Sequence, residues 1–160
     1  MTTFKKAHGI KVVGQVYGNW TETTSQSVVA GILPSLGKVD AVAGEGGEMY
    51  GAYEAFKAAG RPTPLLIMGN RGDAMDLWYS LYKNDHKYNT LSESSSPTVG
   101  DAAFWLALNK LDGQKVPKSV TMPTVDVTLH DMLTKDHNLP ANYVVGTYYS
   151  NKWVEANLLK

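Results

Sequence analysis

The chain has 160 residues, enough for one domain with a substantial core. Its hydrophobic fraction of 43% and charged fraction of 19% are those of an ordinary globular protein. Fifteen basic residues offset fifteen acidic ones, which gives no electrostatic reason to expect nucleic acid or an anionic membrane surface as partner. With no cysteine, disulfides, thiolate chemistry and cysteine metal sites are excluded together.

No apolar run approaches the ~20 residues of a membrane span, so no membrane insertion is expected. The start, Met1 to Gly9, lacks the apolar core of a secretory signal, which places the protein in the cytoplasm if this is the complete product. In chain order, short apolar runs predict strands at Ile10–Tyr17, Val39–Gly44, Pro64–Gly69 and Tyr88–Glu93. Leu65–Met68 is continuous and not alternating, as for a strand covered on both faces. Between the strands, Val28, Val29, Ile32, Leu33 and Leu36 form one helical stripe, entered by Thr23-x-x-Gln26 as a capping box. Tyr50–Ala59 predicts a second helix, stopped by Gly60 and Pro62. A third carries Met75, Trp78, Leu81 and Tyr82 along one side. Strand and helix alternating at this pace predict βαβ units: an α/β fold, a three-layer α/β/α arrangement around a mainly parallel sheet. Beyond Pro97 a helix over Asp101–Asp112 ends at Gly113. An extended stretch near Val120–Val127, a short helix, and a tail ending in Trp153–Leu159 complete the chain.

Ligands of open α/β sheets bind beyond the carboxyl ends of the strands. The residues there are Gly18-Asn19-Trp20, Glu45 to Glu48, Asn70 to Asp73, and Glu93-Ser94. Glycine admits close backbone approach, Asn, Arg and Glu supply directional hydrogen bonds, and Trp offers a flat face to a sugar ring. Polar, glycine-rich loops also occur throughout this fold class, so the residue types alone leave both readings open.

No catalytic or cofactor signature accompanies them. The glycines at 44, 46 and 47 fail the dinucleotide fingerprint because Met49 stands where a glycine is needed, and no phosphate-cradling loop is present. His8, His86, His130 and His137 lack the spacing of paired metal ligands, and each is expected at the surface. Serines 94–96 lack a nucleophile elbow, and Glu45 and Glu48 are a candidate carboxylate pair with nothing to mark it as catalytic. Arg71-Gly72-Asp73 matches an adhesion tripeptide by chance. No metal, cofactor or enzymatic activity is expected.

The run Gly9-Ile-Lys-Val-Val-Gly-Gln-Val-Tyr-Gly-Asn-Trp20, followed by Val39-Asp-Ala-Val-Ala-Gly-Glu-Gly-Gly47, resembles the second lobe of type I periplasmic solute-binding proteins of ribose-type sugar ABC transporters. Tyr50–Pro62, Leu66–Asn70, Ala102–Leu108 and the pair Gly113…Pro117 continue the resemblance in order over nearly the whole chain. It implies a flytrap protein whose two lobes, joined by three crossings, close over a monosaccharide or similar polyol and deliver it from the periplasm to an ABC permease. The positions matching family ligand contacts are Trp20 (ring stacking, beside Asn19), Glu45, Asn70 or Arg71, and Glu93. Ribose-type relatives place Asn or Gln at the position of Glu45 and an Asp near Arg71, which leaves the sugar open and admits a charged ligand.

Relatives are about twice as long, and the chain corresponds to their carboxy-terminal lobe alone, with Phe4–Ala7 as the last turn of a helix that would precede it. The family's course takes residues 101–118 across to the absent lobe and returns over 119–160. Phe104, Trp105, Leu108 and Leu111 share one side of that helix. Burying four such side chains is worth roughly 6–12 kcal/mol, against a domain stability of about 5–15 kcal/mol. The helix is therefore expected to fold back on its own lobe or to be buried in a homodimer, through exchange of the helix if need be. Three readings follow: a working solute-binding lobe, a truncated lobe that dimerises and has lost the cleft, and the effector lobe of a LacI-like regulator. Neutral charge and the lack of a DNA-binding segment count against the third.

Overall fold

The computed structural model describes residues 6–45 and 47–159. The helix turn expected over Phe4–Ala7 falls largely outside them, as does Gly46 of the glycine cluster. Strands β1 (Ala41–Ala43) and β2 (Leu65–Ile67) pair in parallel, with Val42 opposite Leu66. The parallel pairing continues to the next strand, β3 (Ser92–Ser94), through a bridge between Met68 and Ser92. There the Met68 amide donates to the Leu91 carbonyl at 3.0 Å, and the Glu93 amide to the Met68 carbonyl at 3.1 Å. β4 (Val125–Val127) joins β3 antiparallel, with Glu93 opposite Asp126. The mainly parallel sheet and three-layer α/β/α arrangement expected from the alternation are present.

Two strands differ from expectation. Ile10–Tyr17 joins no ladder, and Ile10, Val13 and Tyr17 are exposed. Gly14 lies against the side chains of Ile32 and Leu36, so this segment runs over the end of the first helix and not along the free edge of β1. The third strand begins four residues later than Tyr88. Side chains serve β2 over that stretch: the Tyr88 hydroxyl accepts from the Leu66 amide at 3.0 Å, and the Thr90 hydroxyl donates to the Leu66 carbonyl at 2.5 Å. Backbone pairing there would have no free partner.

Helix α1 (Glu22–Ile32) is capped by Thr21, whose hydroxyl accepts from the Thr24 amide at 3.4 Å. Thr23, the expected cap, already lies inside the helix, because Thr21 has the extended backbone a cap requires. A 3-10 turn, Leu33–Ser35, follows at Pro34, and the Arg61 guanidinium ties it down by donating to the carbonyls of Leu33, Leu36 and Gly37. α2 (Glu48–Ala58) ends as predicted at Gly60, whose φ of 63° suits glycine. α3 (Gly72–Asn84) buries Met75 and Trp78 completely against Leu66, Met68, Phe56 and Met132.

A second, smaller core lies beyond the sheet. α4 (Val99–Leu111) follows β3, the short α5 (Leu129–Thr134) follows β4 and packs on α3, and α6 (Asn151–Leu158) ends the described chain. α4 and α6 enclose Ala102, Tyr149, Val154 and Leu158, flanked by Trp105, Leu106 and Trp153. The buried Asn109 side chain donates to Asn151 Oδ1 at 2.7 Å and to the Trp105 carbonyl at 2.8 Å, closing this core with a polar clasp. The chain thus covers one side of α4 with its own tail.

Candidate functional site

The loops after β1 and β2 and the loop before α1 meet at one edge of the sheet. Residues 18–21 make a tight turn, in which the Thr21 amide donates to the Gly18 carbonyl at 3.0 Å. Inside it Asn19 and Trp20 both take left-handed backbone conformations, with φ of 53° and 55°. Asparagine tolerates this, but for a bulky aromatic it is strained, and such strain persists only where neighbours impose it. The turn holds the Trp20 side of the loop out, leaving the residue 72% exposed.

Glu48, in the first turn of α2, supplies the constraint. Its carboxylate accepts from the Trp20 amide at 3.1 Å and from the Glu45 amide at 3.2 Å, in a position that also suits the positive end of the helix dipole. Glu48 is therefore engaged with backbone amides instead of forming a working pair with Glu45, whose own residue is exposed. From the β2–α3 loop, Arg71 reaches toward the same place: a side chain added at Gly47 would begin 3.7 Å from its guanidinium carbon and from the Glu22 amide. Asp73 grips Arg71 through two bonds, Nε to Oδ1 at 3.1 Å and Nη2 to Oδ2 at 2.6 Å. The hydrogen bond that Arg71 donates to Asp73 raises the Arg71 pKa, burial opposes it, and the charges of Asp73 and Glu22 add to the rise. The guanidinium is thus fully charged but locally neutralised, with Nη1 unbonded among the described residues.

Asn70 sits differently from its neighbours. It is 1% exposed, and its side chain is committed inside the molecule. Nδ2 donates to the Val125 carbonyl at 2.7 Å and the Val145 carbonyl at 3.3 Å, while Oδ1 accepts from the Ser92 hydroxyl at 2.7 Å. In this structure Asn70 braces β2, β3, β4 and the 140–147 strap, whereas the Arg71 guanidinium lies beside Gly47 at the surface loops. The strap also donates the Val145 amide to the Asn70 carbonyl at 2.7 Å and accepts the Gly72 amide at Tyr143. Glu93 stands apart: it is exposed, and its nearest ladder partner is Asp126.

The sequence reading did not single out Glu48 as an amide acceptor, nor Ser96. The buried Ser96 hydroxyl joins Thr98 and Thr147, pinning the start of α4 to the strap. Three histidines are exposed as expected, whereas His137 is half-buried, stacked on Tyr79 at 4.4 Å with Nδ1 2.7 Å from the Met132 carbonyl. No group of three metal-ligating side chains occurs among the described residues. No helix among them is long and apolar enough to cross a membrane.

Residues 1–115 match the model of the periplasmic binding protein domain. The chain belongs to this family. No curated protein matches it by sequence. Among solved structures, an ABC transporter solute-binding protein from Thermobispora bispora is 28% identical with a TM-score of 0.79, over 98% of this chain and 48% of that one. A protein from Mycobacterium smegmatis in complex with β-D-fucofuranose is 25% identical with a TM-score of 0.58, covering 81% of this chain and 42% of that one. A 5-methylthioribose transporter solute-binding protein from Thermotoga lettingae shares the fold, at 20% identity and a TM-score of 0.62, covering 92% of this chain and 49% of that one. The chain spans about half the length of the solved structures it matches. Against periplasmic binding proteins as a class, it thus corresponds to a single lobe.

Proposed function

We propose that the edge formed by Asn19, Trp20, Glu45 and Arg71 is half of a binding site for a neutral monosaccharide or similar polyol. The protein works there as a periplasmic solute-binding component for an ABC permease, and not as a catalyst. The observation that carries this is the Trp20 side chain, held exposed in a strained turn beside the Glu45 and Arg71 loops. An aromatic face, a carboxylate and a guanidinium with free donors are the groups that stack on a sugar and bond its hydroxyls. Asp73 already compensates the Arg71 charge, which favours hydroxyl groups over an acidic ligand. The ligands named for the Mycobacterium smegmatis and Thermotoga lettingae proteins support the sugar class.

The test is the melting temperature of the protein against pentoses, hexoses and polyols at millimolar concentration. A ligand at 100 times its Kd adds about 2.7 kcal/mol, a shift of several degrees. Trp20→Ala abolishes that shift. A flat panel for the unsubstituted chain overturns the reading.

A second reading rests on α4. Its tail-facing side is covered, but Phe104 is 56% exposed and Leu111 81%, with Leu108 at the margin and Trp105 half-buried against α6. This uncovered stripe supports association, with a second copy of the chain covering the face that α6 does not reach. Light scattering on the purified chain is expected to give a dimer, and Phe104→Glu with Leu111→Glu a monomer. A monomer before substitution refutes it.

A further inference from the structure

We propose that Glu48 is a positioning residue that sets the geometry of the ligand-facing Trp20 and Glu45 through their backbone amides. The part of this that concerns affinity rests on the sugar-binding reading above. One carboxylate holds two loops that no strand pairing joins: the Trp20 amide on Oε1 and the Glu45 amide on Oε2. The slot around it has no spare room. A Cβ at Gly18 would stand 2.7 Å from Oε1, and one at Gly44 would stand 2.9 Å from Oε2, so a glycine in each loop lets the backbone approach the carboxylate. The amide on Oε1 belongs to the residue with the least favourable backbone, a tryptophan at φ 55°. An ionised acceptor bonds an amide about twice as strongly as a neutral one, so the bond offsets strain that would otherwise let the turn relax and carry the ring away. Glutamate also has the reach for both amides from the first turn of α2. Aspartate lacks one methylene, and glutamine presents an oxygen to only one of them.

The prediction for Glu48→Gln has two arms. In amide NMR spectra, whichever of the Trp20 and Glu45 amides is left facing the glutamine NH2 moves to higher field and exchanges faster, while the core amides of Leu66 and Trp78 stay in place. In sugar titrations of the same protein, affinity for whichever sugar shifts the unsubstituted chain falls at least about tenfold. Glu48→Asp, which keeps the charge, is expected to retain one amide shift and lose the other. If neither amide responds to Glu48→Gln, the proposal falls. It falls equally if an amide responds while sugar affinity is unchanged. Should no sugar bind the unsubstituted chain, the binding reading fails on its own, and the two amides still decide whether Glu48 sets the loops.

Discussion

Replacing Asn70 with alanine separates a brace from a ligand contact. The change removes two donors, to Val125 and Val145, and the acceptor of the Ser92 hydroxyl, which is itself 0% exposed. The 3.3 Å bond to Val145 is long and contributes least. A buried polar group left without a partner costs about 1–3 kcal/mol, and the Ser92 hydroxyl and the Val125 carbonyl are both exposed to that penalty. The expected loss is thus about 2–6 kcal/mol, a large share of a domain stability of about 5–15 kcal/mol. In a chain of this size it lowers Tm by roughly 4–24 °C. Urea unfolding measures it directly, as a lower midpoint at unchanged slope. Adding Ser92→Ala removes the orphaned hydroxyl, so the double variant loses less than the sum of the single ones. A midpoint change worth less than about 1 kcal/mol, together with loss of the sugar-induced melting shift, would refute the reasoning and make Asn70 a ligand residue.

Gly51→Ala is expected to destabilise by about 1–3 kcal/mol despite alanine's better helix propensity, because the new Cβ would collide with the Glu22 carbonyl and stand 2.9 Å from the Gln26 nitrogen where α1 and α2 cross. Thermal unfolding checks this, and an unchanged or raised Tm would mean the crossing can open. At α5, Thr128 and Asp131 form a capping box in which the Thr128 hydroxyl, then its amide, then Lys135 lower the Asp131 pKa from 3.8 to about 2. Because the folded value is the lower one, this contribution is present above the unfolded pKa near 4 and fades as pH falls toward 2. Thr128→Ala should therefore lower stability near neutrality and narrow the loss between pH 4 and 2, measured as urea midpoints across that range. An unchanged acid slope would show that the box does not set it.

How much of this was legible beforehand depended on the range of the interaction. The stripe of Met75, Trp78, Leu81 and Tyr82 and the Gly60 stop are local patterns, and periodicity or a single left-handed residue encodes each within a few positions. The alternation of strands and helices encoded the parallel sheet for the same reason. The ordered motifs encoded the family, and the loops that follow β1 and β2 placed Glu45 and Arg71 at the same end of the sheet. The sequence had no way to show that Asn70 turns inward while Arg71 turns out, since the two adjacent polar residues differ only in partners 55 and 75 positions away. Nor did it show that Ile10–Tyr17 would lie over α1, or that Tyr88 and Thr90 would satisfy β2 with side chains. The amphipathic pattern of α4 said that a face needed cover, and tertiary packing assigned part of that cover to α6 and left Phe104 and Leu111 outside. Helical and strand propensity are set by neighbours along the chain, whereas a buried hydrogen bond is set by whichever distant group arrives. The first is written in the sequence, and the second exists only once the chain has folded.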